Sequence, residues 1–275
     1  MTGAAGTLGG QVVGLLAAHG GHEVVAVSRR PVPDLPPRTV PARADYADPG
    51  ALRTAFDGVG TLVFVSSDGE AVNVLCHHQN VVRAATEAGV GHIVALSGLD
   101  ADITSPFCYA VTYGHTERLL RDSGCAVSIA RASIFTEFFL SFLRTARRGG
   151  QLRLPAGDGR ISLVSMTDVG RGLAALALAP PAGPVHELTG PAALDLDQVA
   201  AAASRAGDPP LAYADVSPAA FQRDLAAGDL DPWWCYAFSS MFASIRQHRW
   251  EQVTDEVLKL TGRQPVPVSD LLPAR

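Results

Sequence analysis

Lysine is almost missing from this 275-residue chain. Lys259 is the only one, so the other Lys and Arg positions are all arginine. Nothing upstream of it can use an amine to lower the pKa of a neighbouring phenol, a common acid–base device. Cysteine is scarce too. Cys76, Cys108, Cys125 and Cys235 show neither CxxC spacing nor a Cys/His cluster of zinc type. Buried, reduced thiols are expected. His77 and His78 are adjacent on a predicted helix and point to different faces, which excludes a shared metal there. No apolar run is long enough to span a bilayer. No charged n-region leads into an apolar stretch, so no signal peptide is read and a cytoplasmic protein is expected. An excess of basic charge is also lacking. The net charge is −5 and the pI about 5.9, which argues against a nucleic-acid or membrane-surface binder.

What is present is a compact, apolar-rich composition, with 47% hydrophobic and 18% charged residues. It suits one domain, or one domain with a smaller lobe. The chain opens on Gly3-Ala-Ala-Gly6-Thr7-Leu8-Gly9. This spacing reads as a dinucleotide loop, with glycines for a tight turn and for close approach of a diphosphate. A helix over Leu8–His19 then aims its N-terminal N–H groups at the phosphates. Such a loop should follow a buried strand, yet only Met1 and Thr2 precede Gly3. Two neighbouring strands are then expected to be left with unpaired backbone groups. The reading therefore expects a first strand upstream of Met1.

Short β-branched runs alternate with amphipathic stretches, the pattern of βαβ units. Strands are expected at Glu23–Ser28, Thr39–Arg43, Thr61–Ser66, His92–Ser97 and Ala126–Arg131. Helices are expected at Asp48–Phe56, Ala71–Ala88 and Tyr113–Arg121. After Ser133 the expectation is a helix at Phe135–Arg147, a strand at Ile161–Val164, a helix at Thr167–Leu178 and a strand at Val185–Leu188. The fold class is α/β, a Rossmann-like doubly wound parallel sheet with a smaller, mostly helical C-terminal lobe. Residues 1–133 form the nucleotide domain, with 161–190 returning to the sheet. Residues 134–160 and 191–275 form the lobe.

Several residues could carry chemistry. Arg29 follows the second strand, where NAD enzymes place an acidic residue on the ribose. An arginine fork matches a 2′-phosphate instead, unless the segment is a solvated charged loop. Asp45 and Tyr46 stand either at an adenine edge or in a helix cap and turn. Ser66 and Ser67 close a strand at the carboxyl edge of the sheet and leave room for a ribose. Ser97 either bonds a substrate oxygen or caps a turn. Tyr109 and Tyr113 have the spacing of Tyr-x-x-x-Lys without the lysine. Simple carbonyl reduction needs a strong proton donor. A quinone does not, because its reduced anion is delocalised and water can protonate it. The aromatics of Phe135–Phe142 and Trp233–Phe238 either wall a flat pocket or fill the core.

Taken in order, these residues make the chain resemble an NmrA-like member of the atypical short-chain dehydrogenases/reductases, and in particular the type 2 NAD(P)H:quinone oxidoreductases. The resemblance also runs through His78-Gln79-Asn80-Val81, Leu99-Asp100-Ala101-Asp102, Thr116-Glu117, Ala156-Gly-Asp-Gly-Arg160 and Val253–Gly262. It implies NADPH bound without flavin by Gly3, Gly6, Thr7, Leu8, Gly9, Arg29, Asp45, Tyr46, Ser66, Ser67 and Gln79. Ser97 and Tyr113 would face the substrate, with no metal. Arg131–Phe135 departs from that family's Asn-Gly-aromatic pattern, and Tyr113 stands where its members tend to have histidine. The expected activity is hydride transfer to a quinone or another flat electrophile. A biosynthetic tailoring reductase and a non-catalytic NADP-sensing regulator are the alternatives. The expected partner is a small molecule, with a homodimer among the permitted assemblies.

Overall fold

The structure is a computed structural model that describes residues 1–181, 183, 185–206 and 210–272. The elements run α1 (Thr7–His19), β1 (Val24–Ser28), β2 (Thr39–Arg43), α2 (Pro49–Phe56), β3 (Thr61–Phe64), α3 (Ala71–Glu87), β4 (His92–Gly98), α4 (Cys108–Arg121) and β5 (Ala126–Ala132). They continue with α5 (Thr136–Arg147), β6 (Gln151–Leu154), β7 (Arg160–Ile161), α6 (Met166–Leu178), β8 (Val185–Leu188), β9 (Leu194–Asp195), α7 (Leu196–Ala206) and β10 (Ala212–Asp215). Helices α8 (Pro218–Ala226), α9 (Pro232–Arg246), α10 (Glu256–Thr261) and α11 (Val268–Leu271) complete the chain. Among the described residues, no helix is long and apolar enough to cross a membrane.

Local chemistry explains most boundaries. Gly20 ends α1 at φ 72°, with its N–H on Ala17 O. Asp48 caps α2 by accepting from the Ala51 N–H, with Pro49 in the first turn. Helix α4 begins five residues earlier than expected, immediately after Pro106-Phe107. Proline just ahead of a helix is itself a start signal. Strand β7 is shorter than expected, and Val164 joins Phe135 only through an isolated bridge. Cys76 is exposed on α3, against the expectation of buried thiols.

The chain divides into two compact units. The first comprises Met1–Ser97, Thr112–Arg131 and Thr167–His186; the second comprises Gly98–Val111, Ala132–Met166 and the chain from Glu187 onward. In the first, β1 and β2 pair in parallel, and a second sheet has the order β3-β4-β5-β8. Strands β3 and β4 are parallel, with Leu62 opposite Ile93. The core on these sheets is continuous, from Val27 and Phe56 through Phe64 and Val81 to Leu120 and Ile129. In the second unit, Phe142 packs against Phe138, Phe238 and Phe242, and Phe139 is fully buried. Phe139 and Phe242 are core, whereas Phe138, Phe142 and Phe238 are half-buried.

Met1 and Thr2 stitch the two sheets together. Val27 N–H donates to Met1 O at 2.9 Å, and Thr2 N–H donates to Val63 O at 3.0 Å. The terminal amine donates to Val25 O, and Val65 N–H donates to Thr2 Oγ1. The expected loss of pairing between β1 and β3 is thus met in part by a two-residue segment. On the amino side of that segment a cavity of about 630 Å³ opens between Glu23–Val25 and Gly60–Val63. Burial lowers the pKa of the Met1 amine to about 5.

Helix α1 lies directly on the turn that precedes it. Gly3 takes φ 65°, in the left-handed region. A Cβ at Gly9 would stand 2.0 Å from Gly3 O and 2.6 Å from its carbonyl carbon. Gly14, on the same helix, has nothing within 4 Å of such a Cβ. Gly9→Ala is therefore expected to destabilise by about 3 kcal/mol through backbone overpacking. Gly14→Ala should stabilise by up to about 1 kcal/mol through helix propensity. Urea midpoints of the two variants check both signs.

Candidate functional site

A cavity of about 320 Å³ lies in the first unit at the carboxyl ends of β1 and β3. The chain leads to β2 on one side of this point and to β4 on the other. Open parallel sheets bind ligands at such a reversal. The Gly3–Gly6 turn forms one wall. Gly6 is the N-cap of α1 and supplies no side-chain hydrogen bond, so the first-turn N–H groups have no side-chain cap. Thr7, Leu8 and Gly9 form that first turn without lining the cavity. Leu8 is buried and meets α6 at Gly170. Gly9 is the packing constraint already described.

Arg29 and Arg30 line the cavity beyond β1, both exposed. Ser28 Oγ donates to Arg30 O and shapes this corner. Neither arginine has an ion-pair partner among the described residues. Two unpaired guanidinium groups on a concave surface attract anions. Sequence reading singled out Arg29 and passed over Arg30, although the doublet itself was the available signal.

Asp45 and Tyr46 line the opposite side. Asp45 Oδ1 accepts from the Ala47 N–H, the turn that was one of the two readings, and the helix cap is Asp48. Tyr46 OH donates to Val65 O at 2.8 Å, and burial pushes its pKa above the usual phenol value, with Arg29 opposing. The hydroxyl is thus structural. Asn80 Nδ2 donates to Tyr46 O and holds the turn from α3. Ser66 Oγ donates to Leu96 O. Ser67 and His77 also line the cavity. Gln79 is exposed and does not.

His78 anchors this wall. It is fully buried, with Phe64 edge-on at 5.1 Å. Its Nε2 accepts from the Ser67 N–H at 3.1 Å. Its Nδ1 lies 2.6 Å from Thr116 Oγ1, which donates its own proton to Thr112 O. The bonding pattern therefore requires the neutral Nδ1–H tautomer. Burial, with a smaller contribution from His77, lowers the pKa to about 4.

Ser97 and Tyr113 belong to a different cluster of the same unit. Ser97 Oγ donates to Glu117 Oε1 at 2.8 Å. Glu117 is 1% exposed and is gripped by Arg131 at 2.8 and 2.7 Å and by Arg121 at 2.7 Å. The Ser97 proton is thus committed, and its oxygen is left to accept. Tyr113 is half-buried on α4, one turn before Glu117. The Glu117–Arg131 pairing joins a helix to a strand, and no local spacing in the sequence reveals it.

Comparison with known proteins follows this geometry. The sequence pattern of an NAD(P)H-binding family matches residues 3–180. Quinone oxidoreductase 2 of Escherichia coli is 34% identical over 226 residues, covering 80% of this chain and 78% of that protein. An NAD(P)H azoreductase of Xenophilus azovorans is 27% identical, covering 96% and 92%. The solved structure of an NADPH-dependent quinone oxidoreductase from Escherichia coli, complexed with NADPH, superimposes with a TM-score of 0.90 at 28% identity, covering 98% and 96%.

The neutral His78 makes the site wall acid-sensitive. Between about pH 4 and 6.5 the unfolded chain binds this proton and the folded chain does not. Stability contributed by His78 is complete above 6.5 and is lost as pH falls toward 4, by about 3 kcal/mol. His78→Gln should show a correspondingly smaller loss between pH 7 and pH 4 in urea titrations. An equal loss in both proteins would assign the acid sensitivity elsewhere.

Proposed function

The chain belongs to the NAD(P)H-binding family and is an oxidoreductase of it; from that premise we propose a reductase that takes hydride from NADPH to a quinone or a similarly flat, conjugated acceptor. The observation that carries this reading is the pair of unpartnered guanidinium groups, Arg29 and Arg30, beside the glycine turn at the sheet reversal. The residues present fit a phosphorylated dinucleotide. The turn at Gly3 and Gly6 and the α1 N-terminus suit a diphosphate. The arginine corner suits a 2′-phosphate, where a ribose-binding carboxylate would favour NADH.

When bound, the nicotinamide supplies the hydride. The chain's own part is binding, orientation and the proton inventory. Ser97 holds its proton on Glu117 and cannot give it to an acceptor without breaking that bond. The only lysine, Lys259, pairs with Asp255 and Glu256 on α10. This inventory suits an acceptor whose reduced form takes its proton from water. The names of the quinone and azo reductases among the relatives agree with a flat, conjugated electrophile.

NADPH oxidation should proceed with benzo- or naphthoquinones and run well below that rate with NADH. Arg29→Ala should raise the KM for NADPH about tenfold or more and leave that for NADH within twofold, the effect of losing a charge-assisted hydrogen bond. Tight NADPH binding by calorimetry without turnover of any quinone or azo dye would overturn the substrate reading. Equal use of NADH and NADPH would overturn the cofactor reading.

A further inference from the structure

Met1 and Thr2 lie in a slot one strand wide between β1 and β3. The Met1 amine donates to Val25 O, and Met1 O accepts from the Val27 N–H. On the other side the Thr2 N–H donates to Val63 O. A single extended segment can reach both strands only where they stand two strand spacings apart, each roughly 4.8 Å. On the amino side of Met1 the slot continues as the cavity of about 630 Å³. Glu23, Val24 and Val25 line one edge, and Gly60, Thr61 and Val63 line the other.

These edges carry strand chemistry. A residue in a parallel ladder aims its N–H and C=O to the same side, and the side alternates along the strand. Val24 N–H goes to Arg38 O on the β2 side, so Val25 faces the slot, as its bond from Met1 shows. Val63 faces the slot too, since its O takes the Thr2 N–H. The N–H groups of Val25 and Val63 therefore point into the slot, and neither meets an acceptor among the described residues. Val63 is buried and Val25 half-buried. An unpaired N–H away from water costs on the order of 1–3 kcal/mol. Glu23 O and Thr61 O, two residues earlier, point the same way by the same alternation. The Met1 amine is enclosed beside them, where an amide N–H would make the same bond to Val25 O with no charge to desolvate. Leu16 of α1 and Leu178 of α6 give the cavity apolar cover.

We propose that this cavity is a strand-accepting site for an extended, β-branched segment that runs parallel to β1 and β3 and reaches Met1 N through a peptide bond. The groups present fix its register. The residue directly ahead of Met1 takes the Val63 N–H on its C=O and gives its own N–H to Thr61 O. The residue before that takes the Val25 N–H and gives its own to Glu23 O. Apolar cover and pairing on two edges favour β-branched side chains. The site lies at the opposite ends of the strands that carry the glycine turn and the arginine corner, and it does not rest on the cofactor reading.

The test adds three residues ahead of Met1 in the full chain: Val-Ile-Val, Gly-Ser-Gly or Val-Ile-Pro, each behind an initiator methionine. Urea midpoints and amide hydrogen exchange are compared with those of the unextended chain. Val-Ile-Val should raise the midpoint and slow exchange at Val25 and Val63 by about tenfold or more. Gly-Ser-Gly should give less of both, for lack of apolar burial. Val-Ile-Pro keeps the apolar surface but has no N–H for Thr61 O, and should lose most of the gain. Equal midpoints for the three extensions overturn the proposal. A raised midpoint with unchanged exchange at Val25 and Val63 also overturns it, as apolar burial without strand pairing. Slower exchange of these two amides in the unextended chain as its concentration rises makes a second copy the occupant, and overturns it as well.

Discussion

The contact of α1 with its own preceding turn is the constraint on which the site depends. With hydrogen in place of Cβ at Gly9, the helix axis approaches the Gly3 carbonyl at a distance no other residue allows. That approach sets the direction of the α1 N-terminus, and with it the place where an anion can be held. It also sets Ala4, whose N–H reaches Val27 O, so the turn is tied to the end of β1 and to the arginine corner beyond it. Glycine turn and cationic rim are thus two ends of one arrangement.

Polar contacts then hold the other walls in place. A neutral histidine inside α3 bridges the loop after β3 to α4. Asn80, one turn away from His77, holds the Asp45–Tyr46 turn. A buried glutamate on α4 takes two arginines and a serine. Each joins elements far apart in sequence, and each replaces water that the fold has excluded.

Much of the fold was legible because buried parallel strands must be short and β-branched, as at Val24–Ser28 and Thr61–Phe64, and helices end where glycine or proline permits. Helix α4 starts at Cys108 rather than Tyr113, behind Pro106, whose fixed φ favours a helix start. At the site, the glycine spacing and the arginine after β1 could be read locally. Ser97 could not: its partner Glu117 lies twenty residues on, and only the packing of α4 against β5 brings Arg131 to the same carboxylate. His77 was placed on a helix and weighed only as a metal ligand with His78; its place in the cavity wall depends on α3 packing beside the ends of β1 and β3.

The scarcity of lysine has a practical side. Lys259 is the one lysine side chain, exposed on the short helix α10, with Asp255 and Glu256 keeping it protonated. Reagents directed at lysine side chains will therefore mark one point of this sequence. A dye attached there reports from a single vantage, and a surface coupled there holds every copy in the same orientation.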